Sequence, residues 1–127
     1  MAKEKPAVDT DGNTHKESVV SEMILSELLS DANQNIIDYY GLINQLDQLM
    51  EECGELIAAC NHYKRALIGN DKRQRFVREE SLKSEMADVI VVLDQVFRRM
   101  GVTSEELNFM AERKINRQLA RISKKGG

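Results

Sequence analysis

Five acids carry the chemistry open to this sequence. Glu51, Glu52 and Glu55 stand in the run Glu51-Glu52-Cys53-Gly54-Glu55, and Glu85 and Asp88 bound the run Glu85-Met86-Ala87-Asp88. Carboxylates spaced i,i+3 lie one helical turn apart on one face. If the two runs fold back on each other as a hairpin, four carboxylates point into one small volume. Anions that close repel one another and lose hydration, so they require a countercharge. A hard divalent cation with a preference for oxygen ligands supplies it, Mg²⁺ first and Mn²⁺ as the alternative ion.

The acids are not equivalent. Projected at roughly 100° per residue, Glu51 falls on the outer side of its helix with Asp47 and Arg65, opposite a leucine seam. Glu52 and Glu55 fall on a stripe beside that seam, shared with Gln45, Gln48, Ala59 and Ala66. Small residues there imply that something packs against the stripe. Glu85 lies inside an apolar sector between the directions of Val92 and Val96, and Asp88 lies at its edge. A carboxylate within an apolar stripe costs several kcal/mol if unpaired, so it has a partner or takes a proton. A Glu-x-x-Glu spacing alone describes a solvated face, and for Glu51 that reading stands beside a helper role. Glu52, Glu55, Glu85 and Asp88 together read as metal ligands. A di-iron bundle needs Glu-x-x-His on two helices. His62 is seven residues from Glu55 and His15 lies near the start of the chain, so that reading fails.

The elements that must position these acids are helices. The chain up to Lys16 is polar and is expected to be a disordered leader. Val20, Met23, Ile24 and Leu28 recur at helical spacing from Glu17 to about Ser30. Asp31 or Asn33 can cap a short continuation that Gly41 ends. From Leu42 to Leu67 the seam Leu46, Leu49, Cys53, Leu56, Cys60, Tyr63 and Leu67 steps by three and four, as in packed helices. Gly69-Asn70-Asp71 signals a turn, and the basic run Lys72, Arg73, Arg75 and Arg78 is expected in a loop or fraying helix start. A helix from about Glu79 to Met100 follows. Its run Val89-Ile90-Val91-Val92-Leu93 suits a buried strand by propensity, but the period of Leu82, Met86, Val89, Leu93 and Val96 decides for helix. Gly101 stops it, and Thr103-Ser104-Glu105-Glu106 is a capping box that starts a last helix to about Ser123. Residues 17–123 thus form one all-α domain, an antiparallel helical bundle, with 124–127 as a tail.

The last helix brings the opposite charge. Lys114, Arg117 and Arg121 project close to Leu107, Met110 and Ala111, so these cations are expected to border a buried face. They are either C-terminal cations favoured by the helix dipole, with stems that cover apolar surface, or a clamp for an anionic substrate.

Composition limits the alternatives. A chain of 127 residues, 42% hydrophobic and 31% charged, supports one globular domain. A net charge of -3 argues against nucleic acid as a stable partner. No apolar run approaches the roughly 20 residues that span a bilayer, and the start lacks the apolar core of a secretory signal. Cys53 and Cys60, seven apart on one helical face, cannot form a disulfide with each other. They read as reduced and buried, in a cytoplasmic protein.

Glu51-Glu52-x-x-Glu55 followed by Glu85-x-x-Asp88 resembles the signature of the MazG-like all-α nucleoside triphosphate pyrophosphohydrolases. The resemblance extends through Gln45-Leu46-Asp47-Gln48-Leu49-Met50, Leu56-Ile57, Asp88-Val89-Ile90-Val91-Val92-Leu93 and the pair Lys114 and Arg117. It implies a helical bundle that associates as a homodimer or homotetramer and cleaves an NTP or dNTP to nucleoside monophosphate and pyrophosphate. By motif position, Glu52, Glu55, Glu85 and Asp88 would hold Mg²⁺. Glu51 would orient or deprotonate the attacking water, and Lys114 and Arg117 would bind phosphate. Two features depart from the pattern. The connection from Leu56 to Ser84 is at the long end of the family's spacing, and the basic pair leaves Arg117 and Arg121 as alternatives. A non-catalytic helical module that binds a nucleotide or a protein is the other reading of the same fold. A plain coiled-coil dimerisation protein is a third.

Overall fold

The turn at Gly69-Asn70-Asp71 folds the two longest helices against each other. The computed structural model describes residues 27–126, which form α1 (Glu27–Gly69), α2 (Lys72–Met100) and α3 (Ser104–Gly126). Asn70 adopts φ 60°, a left-handed conformation that Asn tolerates better than most residues. Its N–H donates to the Ala66 carbonyl at 3.1 Å. The Asp71 side chain then accepts the Gln74 N–H at 3.1 Å and caps α2. Among the described residues there is no strand, so the fold class is all-α and the Val89–Leu93 run is helical.

Several expected boundaries move. α2 begins at Lys72 rather than Glu79, so Lys72, Arg73, Arg75 and Arg78 ride on its first turns and not on a loop. Arg, Lys and Gln are good helix formers, and the Asp71 cap starts the helix where they begin. α1 passes through Ser30 and Asp31 without a break. Gly41 does interrupt it, with φ 84° and ψ 169°, a region open essentially to glycine alone, so two helical stretches meet at a kink. Gly101 ends α2 at φ 70°, ψ 30°, and the Val102 N–H reaches back to the Phe97 carbonyl at 3.0 Å. The capping box forms as a reciprocal pair. Thr103 Oγ1 accepts the Glu106 N–H at 3.1 Å, and Glu106 Oε1 accepts the Thr103 N–H at 3.3 Å. α3 continues through Gly126, past Ser123. The leader to Lys16 and the helix start at Glu17 lie outside the described residues.

Which stripe packs is the main correction to the sequence reading. In the α1–α2 hairpin the buried positions of α1 after the kink are Gln45, Ala59 and Ala66, on the stripe that also carries Glu52 and Glu55. The leucine seam is left half-covered: Leu46 is 39% and Leu67 45% exposed, Cys60 is exposed and Cys53 is half-buried, both unpaired with other cysteines. Alanine lets two helix backbones approach closely, so the narrow stripe takes the contact and the bulky seam is turned aside. On α2 the buried residues are Leu82, Val92, Asp94, Gln95 and Val96, whereas Met86 is 47% exposed. α3 has no buried residue. The expected buried face of Leu107, Met110 and Ala111 is therefore open in a single chain, and Lys114, Arg117 and Arg121 are exposed. No helix among the described residues is long and apolar enough to cross a membrane.

The stretch before Gly41 packs on the last turns of α2 through polar side chains. Asn33 Nδ2 donates to Asp94 Oδ2 at 2.8 Å and to the Val91 carbonyl at 3.0 Å. Gln95 Nε2 donates to Asn33 Oδ1 at 2.6 Å, and Gln45 Nε2 to Gln95 Oε1 at 2.5 Å. Arg98 Nε pairs with Asp94 Oδ2 at 2.8 Å, while its other nitrogens donate to Gln34 Oε1 at 3.2 Å and to Ser30 Oγ. Beside this network Ile37 is fully buried. Asn33, a candidate helix cap by sequence, is instead a buried linker between helices.

Candidate metal centre

The hairpin register decides where the acids meet. Gln45 lies opposite Gln95 and Tyr63 opposite Glu79, so the middle of α1 faces the middle of α2 in antiparallel sense. Glu52 and Glu55 on one helix thereby come level with Glu85 and Asp88 on the other. Each of the four offers a carboxylate oxygen, and these oxygens all lie within 4.8 Å of one another. Glu52 and Glu85 are half-buried; Glu55 and Asp88 are exposed.

The electrostatics of the group are those of crowded anions. The Glu55 carboxyl is pushed above the ordinary glutamate range, first by the charge of Glu52, then by that of Glu85. Desolvation, its contact with the Glu85 carboxyl and the charge of Glu51 push in the same direction. Glu52 Oε2 accepts a hydrogen bond from Gln48 Nε2 at 2.6 Å, while Glu52 Oε1 and Glu85 Oε1 are buried without a partner. A buried carboxylate oxygen without a donor is costly, and two residues of the cluster each carry one.

A hard cation fits this donor set. All four groups are carboxylates, the preferred ligands of Mg²⁺. Opposite ligands of an octahedral Mg²⁺ are about 4.2 Å apart, given its metal–oxygen distance of about 2.1 Å. The observed spread is close to that, so small rotamer changes would let the four oxygens share one ion. Gln48 holds one oxygen of Glu52 and so leaves the other free to face the ion, an orienting contact of the kind that tunes metal ligands. The sequence placed Gln48 on the same stripe as Glu52, one turn before it.

The other candidate residues lie apart from this group. Glu51 is exposed on the outer side of α1. Lys114, Arg117 and Arg121 belong to α3, which makes almost no contact with the hairpin, so within one chain no α3 cation is packed against the acids. No family model matches the chain, and comparison with curated proteins and with solved structures finds no match.

Proposed function

We propose that this chain is a Mg²⁺-dependent nucleoside triphosphate pyrophosphohydrolase, cytoplasmic and of the MazG-like kind, that releases nucleoside monophosphate and pyrophosphate. One observation carries the reading: four carboxylates converge from two helices, and two of their buried oxygens lack a partner among the described residues. A bound divalent cation would neutralise charge that develops on phosphate oxygens and would acidify an attacking water. Glu52, Glu55, Glu85 and Asp88 are the residues that would hold it. Gln48 keeps Glu52 oriented, and Glu51, outside the group but one residue from Glu52, orients or deprotonates the water. Lys114 and Arg117 bind phosphate once α3 is brought against an acid group.

A homodimer or homotetramer supplies that approach. The α3 side chains Met110, Ile115, Leu119 and Ile122 are each more than half exposed, and so are Ile43, Met50 and Ile57 along α1. Exposed apolar area on this scale marks an association surface. The second reading, a non-catalytic helical module that binds a nucleotide or a protein, is favoured by the same open α3, because a single chain brings no α3 cation to the acids.

Turnover decides between them. The purified protein with Mg²⁺ is expected to convert at least one member of a panel of canonical and modified NTPs to monophosphate and pyrophosphate. Glu55→Gln and Asp88→Asn should reduce this to the protein-free rate while the far-UV spectrum stays helical. Nucleotide that binds without turnover across the whole panel would leave the module reading in its place.

A further inference from the structure

Next to the acid group the hairpin opens into a groove. A cavity of about 270 Å³ is lined by Glu55, Ala58, Ala59, His62, Arg78, Ser81 and Glu85. A second, of about 250 Å³, continues towards the turn and shares His62 and Arg78 with the first. Its wall also carries Arg65 and Gln74. The cause lies in the sequence. Glu55, Ala59, His62 and Ala66 share one face of α1, and Arg78, Ser81, Glu85 and Asp88 share one face of α2. Ala58, Ala59 and Ser81 are small where the helices face each other, so the helices enclose space that larger side chains would fill.

Beyond the acids the polar lining becomes mostly basic, with the capping Asp71 at its far end. Glu55 and Glu85 stand at one end. One heptad further along α1 comes His62, one heptad back along α2 comes Arg78, and Arg65 follows. At 1.5 Å per residue, seven residues carry the lining about 10 Å from the acids. Arg78 is half-buried. Among the described residues it makes no hydrogen bond or ion pair, although two glutamates line the same cavity. A guanidinium in that position has its planar fork of donors free for an anion.

We propose that this groove binds the phosphate groups beyond the metal, the part of the substrate that leaves as pyrophosphate, with Arg78 as its principal anion-binding residue and His62 opposite it. The proposal rests on the metal-dependent reading above and adds, on the hairpin itself, a phosphate contact to those assigned to Lys114 and Arg117 of α3. A phosphate chain that enters from the acid end meets the cation first and the guanidinium next, so its negative charge is matched along its length. Without the metal, Glu55 and Glu85 repel the same anion, so the groove fills best after the cation is bound.

Pyrophosphate is the probe. Calorimetric titration of the full chain with excess Mg²⁺ is expected to show pyrophosphate binding that weakens about ten- to a hundredfold in Arg78→Gln, the range of one lost charge-assisted contact. Arg78→Lys should recover part of it, because charge returns without the fork, and His62→Gln should lose less. Mg²⁺ affinity and the urea midpoint should stay at wild-type values in all three, which separates an anion contact from a structural role. Equal pyrophosphate affinity in wild type and Arg78→Gln overturns the proposal, as does a loss found only in Lys114→Ala, or no binding by the wild type. Failure of the metal centre reads differently. Mg²⁺ then fails to bind the wild type, and the Arg78-dependent step is sought in the metal-free titration.

Discussion

The hairpin carries one fully buried carboxylate and a cluster of four that are half-buried or exposed, and it surrounds them differently. At the end nearer the kink, Asp94 is fully buried; its Oδ2 accepts from both Asn33 and Arg98, while its Oδ1 has no partner among the described residues. In the middle, Glu52, Glu55, Glu85 and Asp88 crowd together, and the hydrogen bond from Gln48 to Glu52 is the neutral support they receive. Among the described residues the single acid has a cation in contact and the four have none. Burial of charge is tolerated where the partner is covalently part of the fold. A cluster left without one among the described residues is where a cation from solution could supply the missing charge. The comparison separates an acid that ties helices together from acids that could hold a cation.

Breaking the internal pair should have the largest effect. Arg98→Met leaves Asp94 buried without its cation and is expected to lower the unfolding free energy by about 3–5 kcal/mol, read by urea denaturation with and without Mg²⁺. The loss should be the same in both conditions, because the network lies away from the acid cluster. A loss below about 1 kcal/mol, the level of an exposed pair, would erase the contrast. The cluster should respond in the other direction. In metal-free protein, Glu85→Leu replaces a half-buried, like-charged carboxylate in an apolar sector and should raise the melting temperature. Mg²⁺ should add about 2.7 kcal/mol to wild-type stability at a hundredfold excess over its Kd, and this increment should vanish in Glu85→Leu. A coiled coil without a site also predicts the first result, and only the second discriminates.

The cluster was legible in the sequence and the Asp94 network was not, for a geometric reason. Glu52, Glu55, Glu85 and Asp88 show in spacing alone, because one hairpin face is enough to bring them together. Asp94 lies about 200° round the helix from Val92 at 100° per residue. It is buried only because the stretch before Gly41 covers a second face of α2, and a one-sided wheel puts it in solvent. Arg78 was missed for a simpler cause. With the helix placed from about Glu79, the residue one heptad before Glu85 falls in a loop or fraying helix start and has no fixed face to share with the acids. The Asp71 cap was present in the turn signal and moves that start to Lys72. The leucine seam misled differently, since apolar period identifies what wants burial and not which partner provides it. In one chain the seam is half-covered, and among the described residues no element buries a face of α3.

The smallest predicted effect sharpens the contrast through pH. Glu55 is raised above the ordinary glutamate range, chiefly by the charge of Glu52. Folded metal-free protein therefore holds this proton more tightly than the unfolded chain does. The stabilisation is fully present below the usual carboxylate range and is lost as pH rises through the raised value. Metal-free wild type should thus lose stability relative to Glu55→Gln as pH climbs through that window, and the difference should level off above it. Mg²⁺ reverses the slope, because the ion binds carboxylates and not carboxylic acids, so its increment grows as Glu55 gives up its proton. Melting curves of both proteins at several pH values, with Mg²⁺ or with a chelator, read this directly. If the two metal-free curves keep a constant separation across the carboxylate range, Glu55 does not feel its neighbours. The four acids would then be a solvated face, and the cluster would no longer differ in kind from any other charged stripe on the hairpin.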